Sequence, residues 1–172
     1  LENKLKYAEL YGKGDEDILL FFLTSAKFNS AISELNQEKI DEAVRFTKNA
    51  LNEGWANSLV LDYKKDYLIA QNRWDKVLEI NQRLKEKGEF DNGYINHFSW
   101  QVYQKCDDIN VIETCIRWMK EVTDQEPSYS YYDTYAHLLY KTENKTETIR
   151  VSKLAIEAAK KEKISSKSVE TL

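Results

Sequence analysis

Two cysteines and two histidines hold most of what this sequence could offer as nucleophile or metal ligand: Cys106, Cys115, His97 and His137. A thiol attacks or binds metal as its thiolate, and a histidine acts as acid, base or ligand only beside an orienting partner. Neither condition is met by the spacing. A metal site needs third and fourth ligands in reach, and none lies at ligand spacing, so no metal is expected. There is no Ser-His-Asp or Cys-His pairing on recognisable elements and no glycine-rich phosphate loop. The expectation is a region without catalytic residues and without a cofactor. The two cysteines fall on apolar helical positions. A bridge between them and simple core packing both fit; packing as free thiols is the expectation.

Aromatic and acidic residues are the other source of chemistry, since ring anchors dominate the energetics of many interfaces. Trp55, Trp74, Trp100, Trp118 and the tyrosines from Tyr129 to Tyr140 either form a binding groove or fill the space between helices. Packing is expected for most of them, with Trp100 and Tyr140 reserved for a groove.

The elements that must position these residues are helices. One proline and five glycines in 172 residues, with interleaved Lys and Glu, favour helix throughout, and no sheet is expected. The formal net charge of −4 argues against a nucleic-acid surface. No apolar run approaches the ~20 residues of a membrane span. The longest, Ile18 to Leu23, reads as a buried helix segment. Residues 1–14 read as the end of an upstream helix and a linker, Leu1 to Tyr11 stopped by Gly12 and Gly14. Leu1, Leu5 and Ala8 continue an apolar stripe, so the chain is expected to be a piece of a longer protein. Residues 15–161 then read as four helical hairpins. Asp15 or Asp17 caps a helix to about Leu35, whose returning partner carries Ile40, Ala43, Thr47 and Ala50 and is ended by Gly54. The second hairpin runs from about Asn57 to Asn72 and from Trp74 to Lys87, stopped at Gly88. The third runs from Asn92 to Cys106 and from Ile109 to Gln125. The fourth begins after Pro127, with Asn144 and Glu147 as a capping box between its helices. Residues 162–172 lose the apolar period and read as a polar tail that frays.

Laid over one another, the second helices align Ala43, Val77, Cys115 and Thr148, and likewise Ala50, Leu84, Val122 and Ala155, with steps of 34, 38 and 33 residues. Hairpins at this period resemble tetratricopeptide repeats. Ala31 and Ala136 match the small first-helix position, Ala43 with Ala50 the second-helix pair, and Pro127 the start of a unit. Lys65 and Tyr103 depart from the pattern where a small residue belongs. The implied fold is an all-α, right-handed solenoid of about four antiparallel hairpins, whose concave face is lined by first-helix residues. Here these are Asp62, Asp66, His97, Trp100, Gln104, Asp133, His137 and Tyr140, with His97 and His137 at equivalent places. That set is acidic and aromatic, which suits a basic protein or peptide partner.

The tract DTYAHLLYKTENKTETIRVSKLAIEAAKKE, Asp133 to Glu162, is similar to the last repeat of the helical region that follows the thioredoxin domain in Bacteroidetes thioredoxin-family proteins. The opening YAELYGKGDEDILLFFL resembles the join between domain and helices in the same proteins. This resemblance implies an upstream domain carrying Cys-x-x-Cys, a motif this chain lacks, in a parent acting as a thiol-disulfide oxidoreductase. It also implies a periplasmic or cell-envelope location; without it the expectation is cytoplasmic. The chain itself is read as a non-catalytic protein- or peptide-binding module accessory to that domain. A structural or dimerisation platform and a peptide-sensing regulatory domain are the alternatives.

Overall fold

The computed structural model describes residues 15–172, and 82% of them are helical with no strand. The helices are α1 (Asp15–Ser33), α2 (Gln37–Ala50), α3 (Glu53–Ala70), α4 (Trp74–Glu86), α5 (Asn92–Lys105), α6 (Ile109–Gln125), α7 (Tyr129–Lys141), α8 (Lys145–Glu162) and the single turn α9 (Lys167–Glu170). The expected helix from Leu1 to Tyr11 and its glycine stop lie outside the described residues.

Side-chain caps start most of these helices. Asn36 accepts from the Lys39 amide at 3.0 Å, Asn52 from Trp55 at 3.0 Å, Asp91 from Tyr94 at 2.9 Å and Asp108 from Asn110 at 2.9 Å. Each satisfies a backbone donor that the first turn leaves free. Asn144 does the same for Glu147 at 3.3 Å, but the capping box is only half closed. The Glu147 carboxylate pairs instead with Arg150, at 2.8 and 2.6 Å, because a guanidinium one turn on is a stronger partner than the Asn144 amide. Gly54 does not end α2. That helix stops at Ala50, and Gly54 sits in the first turn of α3, which starts at Glu53, four residues before the expected Asn57.

The chain divides into two compact units between Arg73 and Trp74. The second expected hairpin spans that division, with α3 in one unit and α4 in the other. In the first unit α1, α2 and α3 pack against one another. Phe28, Ala31, Ile40, Ala43, Val60 and Tyr67 form one buried cluster and Leu20, Ala50, Leu51 and Ala56 a second. The Tyr67 hydroxyl donates to the Leu35 carbonyl at 3.1 Å, tying α3 to the α1–α2 turn. The Ile18 to Leu23 run is not buried as a whole. Leu20 is inside, whereas Ile18, Phe22 and Leu23 are exposed, Phe22 at 63%. Only the stripe of α1 that meets α2 and α3 is covered, and a continuous apolar run on a helix points all round it.

In the second unit α5 packs on α6 and α7, α6 on α7, α7 on α8 and α9, and α4 on α6. Trp74, Phe98, Trp118 and Phe90 form a run of ring contacts through its interior at centroid distances of 6.4, 6.3 and 5.9 Å. Met119 and Val122 of α6, Leu138 of α7 and Val151, Ala155 and Ala159 of α8 are buried. The overlaid positions Ala43, Val77, Cys115 and Thr148 are all buried. Ile149, an aliphatic residue on α8, is 52% exposed. Residues 162–172 do not fray. Lys163 turns in the left-handed region, and α9 folds back on α7 and α8 with Val169 buried.

Candidate functional site

The second unit brings four aromatic and acidic side chains together where α5 meets α7. On α7, Asp133 and His137 are one turn apart and therefore share a face. On α5, Trp100 and Tyr103 are three apart and project toward them. The His137 ring lies edge-on to Trp100 at 5.3 Å and to Tyr103 at 4.8 Å, and the two α5 rings are 5.1 Å apart. His137 Nδ1 sits 2.8 Å from the Asp133 carbonyl oxygen, which can only accept, so Nδ1 carries the proton. While the ring is neutral, Nε2 remains its acceptor. The Asp133 carboxylate is 3.4 Å from the same Nδ1. His137 is thereby fixed in one orientation and only 6% exposed, while Trp100, Tyr103 and Asp133 remain half-buried.

The rest of the expected set is dispersed. Tyr140 is 54% exposed on α7 and borders a concavity of about 560 Å³ with Lys145, Thr148, Ile149 and Leu172. His97 and Gln104 are exposed on α5. The equivalence of the two histidines holds in register only, because α7 is covered on more sides than α5. Asp62 and Asp66 belong to α3 of the first unit; both are exposed, and Asp62 pairs with Lys65 at 2.9 Å. Trp74 and Trp118 are core residues, and Trp55 stacks on Phe21 at 6.0 Å in the first unit.

No family model, curated protein or solved structure matches this chain.

Several residues at the site were not singled out from the sequence. Tyr103, a misfit to the repeat pattern, is a wall of the histidine cluster. Lys141 crosses from α7 to donate to the Tyr103 carbonyl at 2.9 Å and pairs with Asp107 at 3.2 Å, fastening the end of α5. Ser168 of α9 donates to the Asp133 carboxylate and receives a hydrogen bond from the Tyr129 hydroxyl at 2.7 Å. The only signal for Tyr103 was its aromatic type, and for Ser168 there was none.

Cys106 and Cys115 are free thiols, both fully buried. Burial pushes the Cys115 thiol up to about 12, opposed in part by the Ser99 hydroxyl. Burial also raises Cys106, against a backbone N–H at Asp108 that favours its thiolate. Thiols held protonated are poor nucleophiles and poor metal ligands. Among the described residues, no three His, Cys, Asp or Glu are arranged to hold a metal ion, and no helix is long and apolar enough to cross a membrane.

Proposed function

We propose that this chain is a non-catalytic module that binds a protein or peptide through the face of α5 and α7, with Asp133, Trp100, His137 and Tyr103 as its centre. The observation that carries this reading is a half-buried carboxylate beside a histidine that is itself packed against two aromatic rings, Trp100 and Tyr103. A lysine, arginine or free amine would gain a charge-assisted hydrogen bond there together with ring contacts. The ligand of choice is a basic segment. Tyr140, one turn beyond His137, extends the ring surface toward the concavity at the α7–α8 turn. In the same reading the helix pairs form a right-handed, tetratricopeptide-like stack of about four hairpins, accessory to an upstream thioredoxin-like domain. The 34-, 38- and 33-residue steps and the buried overlaid positions support the repeat. The resemblance of Asp133 to Glu162 supports the parent.

One observation favours the platform reading as a second choice. Ile18, Phe22 and Leu23 expose apolar surface on α1, of the kind that self-association would cover. The two readings separate in a calorimetric titration with an acetylated Lys-Gly-Lys-Gly-Lys peptide at low and high salt. Binding that weakens with salt, since screening acts over ~8 Å at physiological strength, supports the module. Absence of binding together with concentration-dependent sedimentation supports the platform.

A further inference from the structure

The polar segment that was expected to fray makes several specific contacts in the second unit. Ile164 N–H donates to the Ala159 carbonyl at 3.0 Å, closing α8 with Lys163 at φ 59°, and this reversal aims the chain back along α7. Glu162 accepts from the Tyr129 backbone N–H at 2.8 Å. Tyr129, Ser168 and Asp133 then form one hydrogen-bonded chain, hydroxyl to hydroxyl to carboxylate. Val169 is 2% exposed, and Leu172 lies at the concavity beside Tyr140 and Ile149. Asp133, the acidic member of the site, is therefore already engaged by the chain's own segment.

We infer that Lys163–Leu172 is a displaceable latch, an autoinhibitory strap that holds Asp133 until a cationic ligand takes its place. The inference rests on the binding reading above and adds its regulation. Ser168 offers Asp133 a neutral hydroxyl, whereas an ammonium or guanidinium offers a charge-assisted hydrogen bond of roughly twice the strength. The stronger donor displaces the weaker one. The latch is held by one buried valine and a few hydrogen bonds, set against the ordering of a short chain segment, so closing it is only weakly favourable. Its advantage is tethering. A segment joined directly to α8 competes at the high effective concentration of a short linker, which a free ligand must exceed. Lifting it also uncovers the apolar seat of Val169, so a ligand with a basic residue followed by an aliphatic one fits better than a purely basic one.

The test compares the full chain with Val169→Asp, which cannot seat the latch, and with Ser168→Ala, which loses only the hydroxyl and serves if Val169→Asp fails to fold by circular dichroism. Two probes are titrated by NMR, the acetylated Lys-Gly-Lys-Gly-Lys peptide and a free peptide of residues 165–172. The latch predicts about tenfold tighter binding of the basic peptide to Val169→Asp than to wild type, a smaller gain for Ser168→Ala, and competition by the 165–172 peptide. Equal affinity in wild type and both variants would overturn the latch and leave the binding reading standing. Should the basic peptide bind none of them, the binding reading fails and the autoinhibitory role falls with it. Where it does bind, saturable shifts from the 165–172 peptide at the Asp133 and His137 amides in Val169→Asp but not in wild type sustain the latch, and their absence ends it.

Discussion

Helices α1 and α7 occupy corresponding places in the repeat overlay, each opening a hairpin, yet they are treated in opposite ways. α7 is covered by α5, α6, α8 and α9 and buries six consecutive residues, Thr134 to Leu139. α1 meets α2 and α3 within its unit and leaves Ile18, Phe22 and Leu23 exposed, although its sequence is the more apolar of the two. Burial is thus a property of how many neighbours a helix has, and composition alone does not report it. A polar histidine can be inside and a phenylalanine outside when the first is surrounded and the second is not.

The largest effect that would break this contrast is truncation at the centre of α7. Leu138 is fully buried, and Leu138→Ala should cost ~2–5 kcal/mol in chemical denaturation by the lost transfer energy and the cavity left behind. A loss no greater than that of a surface substitution would mean that α7 is not enclosed.

Overpacking comes next. Ala155 on α8 has no accessible surface, and Ala155→Trp should cost ~1–3 kcal/mol, because an indole adds far more volume than a fully buried alanine site holds. Unchanged thermal stability would place that face in solvent.

The dry interior of the second unit also predicts a pH dependence. The folded state raises the Cys115 thiol from its ordinary 9.0 to about 12, so folding favours the protonated form. Its contribution is fully present below the unfolded value and is lost as pH rises from there toward 12, by up to ~1.4 kcal/mol per pH unit. Stability curves of wild type and Cys115→Ala should converge across that window. Parallel curves would show a thiol in contact with water.

The smallest effect belongs to α1. Phe22→Ala should change stability by no more than about 0.5 kcal/mol, since the ring is mostly in water already. A loss comparable to that of Leu138→Ala would show that α1 is covered and remove the contrast.

Much of the helical architecture was legible, and what escaped has a common cause. The cap Asn144 and the break at Pro127 are local signals, written in residues that can do little else at those places, whereas the cap at Asn36 emerged only from the structure. Helix ends were less legible. Leu35, Asn72, Glu143 and Lys163 all take positive φ after a helix, near 50–59°, where glycine is the residue that signals such a turn. Only Gly88, at 73°, announced itself in that way. At Leu35, Glu143 and Lys163 the backbone hydrogen bonds that close the turn, such as Asn144 N–H to Leu139 O at 3.1 Å, hold a conformation the side chain disfavours, whereas Asn72 tolerates it. Missing the turn at Lys163 meant missing the latch, because the direction of the chain after α8 depends on it. At the site, Trp100, Asp133 and His137 were legible from helical spacing. Tyr103 and Ser168 were not, since Tyr103 stands where the repeat pattern calls for a small residue and Ser168 lies beyond the repeats, so no first-helix face pointed to either.

The binding reading stands or falls on whether two indoles, half-buried Trp100 of the second unit and exposed Trp55 of the first, behave differently. Trp100 belongs to the Asp133–His137 cluster, and Trp55 stacks on Phe21 far from it in sequence. Calorimetric titration of the acetylated Lys-Gly-Lys-Gly-Lys peptide into the 172-residue chain and its Trp100→Ala and Trp55→Ala variants makes the comparison directly. The account predicts weaker binding by Trp100→Ala, by the ~0.5–2 kcal/mol of a cation–ring contact, and wild-type affinity for Trp55→Ala. Equal affinity in all three, or a loss confined to Trp55→Ala, would contradict it.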